Sequence, residues 1–203
     1  MEAVELPNLA DISEEELSRA RVYRLLARLL GAPADEGLLV FLRKLNGDDS
    51  PLGQGLAALS DVAARVSVEE AAQEYHDLFI GVTRGELLPF ASHYLTGFLN
   101  EKPLAELRDA MNTLGIARSE AASEPEDHIA SLCEIMHGLI MGEFGKPVSL
   151  ADQFQFFQNH VENWSIKFFQ DLEAAKSARF FMSIGLIGRL FMEIEGEAFK
   201  IAA

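Results

Sequence analysis

Residues 67–81 read Ser67-Val-Glu-Glu-Ala-Ala-Gln-Glu-Tyr-His-Asp-Leu-Phe-Ile-Gly81. The stretch opens with a capping box. Ser67 is placed to accept a backbone N–H three residues on, and Glu70 to reach back. Ala71, Ala72, Tyr75, Leu78 and Phe79 then recur at helical spacing on one face, and Gly81 ends the run. A strand needs apolar residues on every second position, and this segment does not have them. The reading is an amphipathic helix with a marked start and stop.

The same grammar repeats on either side. Upstream, Ser13-Glu-Glu-Glu16 is another capping box, followed by Leu17, Ala20, Leu25, Leu26, Leu29 and Leu30, with Gly31 and Pro33 as the stop. A short helix is expected through Leu38, Phe41, Leu42 and Leu45, and a third through Leu52, Leu56, Leu59 and Val62. Downstream, residues 81–100 lose clear period, and Gly85, Pro89 and Gly97 mark loop with one turn of helix. Pro103 starts a helix carrying Leu104, Leu107, Met111 and Leu114. The next is expected to begin near Ser123-Glu-Pro-Glu126 and run through Ile140. Ser149 opens another, with Phe154, Phe157, Val161, Trp164 and Phe168 on it, and Phe180 to Ile194 form the last. The expected class is all-α, a single-domain bundle of about eight to ten helices over residues 1–203.

Composition narrows the function. The chain has 203 residues and a formal net charge of −15. That charge disfavours nucleic acid, whose phosphates need clustered Lys and Arg. It also disfavours anionic membranes and favours a basic peptide or protein segment. The longest strongly apolar run, Phe180 to Gly188, is far shorter than the roughly 20 residues of a membrane span, so no stable insertion is expected. Before Arg19 stand Glu2, Glu5, Asp11, Glu14, Glu15 and Glu16, and no apolar export core, so a cytoplasmic protein is expected. Cys133 is the single cysteine, which excludes an intrachain disulfide and a cysteine metal cluster.

Three constellations stand out. Glu124-Pro-Glu-Asp-His128 suits a first helical turn in its acids and proline, but a cation at His128 is unfavourable there. His128 is better explained by a neighbouring carboxylate or a ligand. The segment Gly85-Glu-Leu-Leu-Pro-Phe-Ala-Ser-His-Tyr94 is rich in large apolar groups without regular period, as expected of a lid or groove lining. Glu134-Ile-Met-His137 is half of a di-iron carboxylate motif, and the chain has no second Glu-x-x-His, so no metal is expected. No phosphate loop and no nucleophile in a recognisable setting occurs.

The residues then resemble the TorD/DmsD family of redox-enzyme maturation chaperones. Glu74-Tyr-x-x-Leu-Phe-x-Gly81 with Pro89-Phe-x-Ser-x-Tyr94 carries one part of the likeness. Glu124-Pro-Glu-Asp-His128 looks like this branch's Glu-Pro-x-Asp-His signature. Phe157-x-x-His160-x-x-x-Trp164-x-x-x-Phe168, followed by the Phe180-Phe181 helix, carries the third. The related NarJ branch usually differs at the Asp-His signature. The family often has tryptophans where this chain has Tyr75 and Phe90.

The resemblance implies a TorD-like helical fold, no turnover and no cofactor held by the chain. It implies binding of a molybdopterin oxidoreductase precursor through its twin-arginine signal peptide, with help in cofactor insertion before export. Further implied partners are molybdenum-cofactor biosynthesis proteins and a second copy by domain swapping. The alternatives are a NarJ-type assembly chaperone for a cytoplasm-facing enzyme and a helical metal-binding protein. A signal with a basic segment and an apolar one needs an apolar groove rimmed by carboxylates. The candidate signal-peptide residues are Tyr75, Leu78, Phe79, Gly81, Pro89, Phe90, Tyr94, Glu124, Pro125, Asp127 and His128.

Overall fold

A computed structural model describes residues 12–118, 124–145 and 147–202. Ser123 and the acidic Glu2, Glu5 and Asp11 lie outside the described residues. Ten α-helices are described, and among the described residues the only β pairing is an isolated bridge between Phe90 and His128. The all-α expectation holds. The helices distribute over two compact units, one of residues up to Arg28 with Phe90–Asn163, the other of Leu29–Pro89 with Trp164–Ala202.

The first unit holds most of α1 (Glu14–Gly31), then α5 (Ala91–Thr96), α6 (Lys102–Thr113), α7 (Ile129–Met141) and α8 (Leu150–Phe157). Ser13 and Glu16 make the capping box that the sequence announces. α7 is buried on nearly every face, from Ile129 to Ile140. Its His137 donates from Nδ1 to the Ala20 carbonyl of α1 at 2.9 Å. α5 packs on α6, and α7 on α8.

Two helix boundaries differ from expectation. α7 starts at Ile129, not near residue 123, because residues 125–128 close a turn with the His128 N–H on the Pro125 carbonyl at 3.1 Å. The acids of that stretch therefore precede the helix. The helix expected from Ser149 through Phe168 is interrupted by a π-helical turn, Gln158–Glu162, before α9 (Asn163–Ala174) resumes. A second such turn, His76–Ile80, ends α4 (Val68–Tyr75). One extra residue per turn rotates the side chains relative to a plain helix, so Leu78 is buried while Phe79 is half-buried.

The second unit also holds α2 (Glu36–Leu42), α3 (Pro51–Ala63) and the long α10 (Phe180–Ala202). α10 packs on α3 and α4, and α2 on α3. Gly188 of α10 is required by close approach. A Cβ there would lie 2.1 Å from the Phe169 ring of α9.

The start of α10 is held by one side chain of α4. Glu74 accepts the backbone N–H groups of Arg179, Phe180 and Phe181 at 2.7, 3.1 and 2.8 Å. A helix leaves its first N–H groups without partners, and its dipole favours a negative charge at that end. Glu86 does the same for the turn before it, accepting from Lys176 and Ser177 at 2.7 and 3.0 Å. Glu74→Ala should therefore lower the unfolding free energy by about 2–4 kcal/mol, and Glu74→Gln by roughly half that. Urea unfolding followed by circular dichroism measures both, and losses below about 0.5 kcal/mol in each would show that the cap does not hold α10.

Candidate functional site

The turn at residues 124–128 directs three polar side chains inward. Glu126, Asp127 and His128 are all buried, at 8, 1 and 5% exposure. Glu126 is held by Arg108 of α6, whose Nη2 donates at 2.8 Å and whose Nε spans both carboxylate oxygens at 3.2 Å. Burial pushes the Glu126 carboxyl up, but the Arg108 hydrogen bonds and charge outweigh it and leave it below the usual range.

His128 is the N-cap of α7. Its Nδ1 accepts the Ala130 N–H at 3.1 Å, and its ring meets the Phe90 ring edge-on at 5.0 Å. Burial lowers its pKa from 6.5 to about 4. The ring is neutral at pH 7, which resolves the apparent misfit of a cation at a helix start. Where a neighbouring carboxylate or a ligand is expected, the Nδ1 atom takes a backbone N–H.

Asp127 ties the turn to α5. Its backbone carbonyl accepts the Ala91 N–H at 3.0 Å and its Oδ2 the Ser92 N–H at 2.8 Å. Its Oδ1 is buried and has no hydrogen-bond partner among the described residues. Asp127 borders a narrow cavity of about 30 Å³, lined also by Leu95, Pro103, Glu106, Asn159 and His160. Burial lowers the His160 pKa, and the Glu106 charge opposes this only in part, so His160 adds little positive charge at neutral pH. Glu106 pairs with Lys102 at 2.9 Å on the exposed side. Beyond Leu95, which is 45% exposed, Phe98 and Leu99 are exposed at 70 and 42%. The first unit thus sets a buried carboxylate oxygen beside an apolar, solvent-facing loop.

Within this unit Phe90, Asp127 and His128 are neighbours, through the Phe90–His128 bridge and the Ala91 N–H on the Asp127 carbonyl. Tyr94 is half-buried and meets the His93 ring at 5.8 Å. Glu124 is exposed, and its carbonyl accepts from Arg118 at 3.4 Å. Pro125 is half-buried. Leu95, Phe98, Leu99, Glu106 and Asn159 are additions that the sequence reading did not select. Their signal was weak, because a lone exposed Phe or Leu is ordinary.

Tyr75, Leu78, Phe79, Gly81 and Pro89 belong to the second unit. Tyr75 donates to the Leu30 carbonyl at 3.3 Å and meets Phe79 and Phe181 at ring separations of 5.0 and 5.9 Å. Leu78 and Pro89 are buried. Gly81 has φ 62°, and a Cβ there would lie 2.1 Å from the Arg84 carbonyl oxygen. These positions pack and turn their own unit. Ile80 and Val82 are its exposed apolar residues beside them, at 53 and 101%.

Among the described residues no group of three or more His, Cys, Asp or Glu is arranged to hold a metal. His137 of the Glu-x-x-His pair is used instead by Ala20, with its Nε2 3.2 Å from Arg24 and 3.3 Å from Glu143. No described helix is long and apolar enough to cross a membrane.

The His128 ring makes stability depend on pH in a defined direction. The unfolded chain binds a proton near pH 6.5 and the folded chain only near 4, so between these values the unfolded state holds more protons. The contribution is fully present above pH 6.5 and is lost as pH falls toward 4, by up to about 3 kcal/mol. His128→Asn keeps a capping acceptor without titrating in this range. Denaturant melts from pH 7.5 to 4.5 should show a shallower decline for the variant, and parallel curves would count against a buried neutral ring.

A family model described as "Nitrate reductase delta subunit" matches residues 45–170. The chain is 30% identical over 161 residues to the chaperone protein TorD of Vibrio cholerae serotype O1 (strain M66-2), covering 76% of this chain and 69% of that protein. It is 26% identical over 162 residues to the chaperone protein TorD of Vibrio atlanticus (strain LGP32), covering 73% of this chain and 75% of that one. The fold is similar to that of a crystal structure described as a redox enzyme maturation protein from Archaeoglobus fulgidus, with a TM-score of 0.59 at 20% identity, over 86% of this chain and 93% of that one. The helical fold, the matched 45–170 segment and the TorD likeness agree: this chain belongs to the TorD-like chaperones of the nitrate reductase delta subunit family, and its role is that of a chaperone rather than an enzyme.

Proposed function

We propose that the chain is a cytoplasmic maturation chaperone for a molybdopterin-dependent oxidoreductase, and that it binds the precursor's twin-arginine signal peptide until folding and cofactor insertion are complete. One observation carries the reading. Asp127, with one buried carboxylate oxygen that has no partner among the described residues, borders a narrow cavity that exposed Leu95 also lines, with exposed Phe98 and Leu99 following in the chain. A buried unsatisfied carboxylate oxygen is costly, and a guanidinium or ammonium donor relieves that cost. The apolar loop suits the hydrophobic segment that follows the arginines in such a signal. Phe90, Tyr94, Glu124, Pro125 and His128 belong to the same unit and stand on the turn that carries Asp127 or on α5 and its N-cap, outside the cavity lining. Tyr75, Leu78, Phe79, Gly81 and Pro89 underlie a separate place in the second unit, where Ile80 and Val82 are the exposed apolar residues.

Molybdenum-cofactor biosynthesis proteins are further partners under this reading, and a domain-swapped homodimer is part of it. Both units are read as one chaperone domain over residues 1–203, since the chain passes between them at residues 28/29, 89/90 and 163/164. The family model's description favours one other reading, a NarJ-type chaperone for an enzyme that is not exported. A peptide without the twin arginines would then bind as well as one with them.

Calorimetry with three peptides tests the proposal. The acidic chain attracts the arginines over a screened range of about 8–10 Å at ordinary ionic strength, while the apolar contact is unscreened. Binding should weaken but persist as salt rises. Replacing the apolar segment by Ser and Gly should cost more affinity than changing both arginines to lysine, which keeps charge but loses the planar fork. Asp127→Asn retains an oxygen for the Ser92 N–H and should bind the parent peptide about tenfold more weakly, a loss of roughly 1.4 kcal/mol, with little change in melting temperature. Equal binding of all three peptides, and of the parent by the variant, would sink the mechanism.

A further inference from the structure

The second unit carries an apolar groove that the signal-peptide reading does not use. It lies between the start of α3 and the C-terminal half of α10 and encloses about 500 Å³. Pro51 and Leu52 form one wall, and Leu190, Ile194, Ala198 and Ile201 the other. The α10 residues fall at spacings of four, four and three, which puts them on one helical stripe. Ile194 and Ile201 are 48 and 87% exposed. Single exposed apolar residues are ordinary, but a continuous stripe facing a second helix is a surface made to be covered.

The rim is acidic. Glu193 and Glu197 line the groove, and Asp48 and Asp49 precede Ser50 at its other edge. Hydrogen bonds from the Ser50 side chain and backbone hold the Asp48 carboxyl below its ordinary range, so it stays ionised. Glu193 pairs with Arg189 at 3.2 Å and Glu197 with Lys200 at 3.0 Å. Such exposed pairs are worth little and exchange readily for a partner's cation.

We propose that this groove docks an amphipathic helical segment of a partner protein, apolar on one face and flanked by Lys or Arg. Two helices flanking an apolar trough accept a third by its apolar face, and the volume falls within the roughly 300–1,000 Å³ of ligand sites. The rim charge selects a basic flank. It argues against a second copy of this chain, because a two-fold contact would place the same acidic rim against itself in a protein of net charge −15. It argues equally against residues 1–11, which carry Glu2, Glu5 and Asp11 and no Lys or Arg.

The test uses the full chain with labelled Ile and Leu methyl groups and a synthetic 16-residue helical Leu/Lys peptide as probe. The expected result is saturable shifts at Leu52, Leu190, Ile194 and Ile201, with a Leu/Glu counterpart of the same pattern at least tenfold weaker. Ile194→Asp, at a half-exposed position and checked for an unchanged circular dichroism spectrum, should weaken the probe about tenfold. Glu193→Lys with Glu197→Lys should do the same while preserving the groove floor. The proposal is overturned by shifts centred elsewhere, by equal binding of the Leu/Glu peptide, by the same shifts appearing on raising protein concentration alone, or by displacement of the probe with a peptide of residues 1–11. The readout sits on α3 and α10, so it can fail without touching the Asp127 mechanism, and the converse holds.

Discussion

The head of α10 in the second unit is held by a single carboxylate. Glu74 stands on α4, and the three N–H groups it accepts belong to residues 179–181 at the head of α10. α10 in turn is the helix against which α3 and α4 pack. The local order of the Tyr75–Phe79–Phe181 ring cluster depends on that anchor, because Phe181 is both a donor to Glu74 and a member of the cluster. The acid at the head of the Glu-Tyr-x-x-Leu-Phe-x-Gly motif is thus accounted for by backbone hydrogen bonding, and the glycine at its end by a positive φ.

The first unit uses the same device with a different outcome. Asp127 also takes backbone N–H groups at a helix start, one through its carbonyl and one through Oδ2. Glu74 commits both oxygens to the fold. Asp127 commits one, and the other is left buried without a partner among the described residues. Two carboxylates in similar settings are therefore distinguished by what remains unsatisfied. The neutral ring of His128 completes the contrast, since it caps α7 without adding a positive charge that would neutralise Asp127.

Helix number, class and most starts were legible in the residues. Ser13, Ser67 and Ser149 each cap as their spacing announces, because a capping bond is local and depends on three or four residues only. The π turns were not legible. They are set by packing, and the apolar pattern through His76–Ile80 reads as plain helix. The start of α7 was misplaced because acids and a proline before an apolar run look the same in a first turn and just ahead of one. At the site, Asp127 and His128 were visible as a motif, but their burial was not. Glu106, Asn159 and His160 reach the cavity from α6 and the π turn after α8, and no spacing in the chain announces that meeting.

The separation of Glu74 from its donors has a consequence for synthesis. Its partners lie 105 to 107 residues further along the chain. While the ribosome is adding residues 90–163, α3 and α4 wait with their apolar faces and an uncommitted carboxylate. The second unit can be completed only when α10 has left the exit tunnel. A nascent chain halted before residue 179 would hold α3 and α4 unfinished, so a helix made more than a hundred residues later decides whether they stay folded.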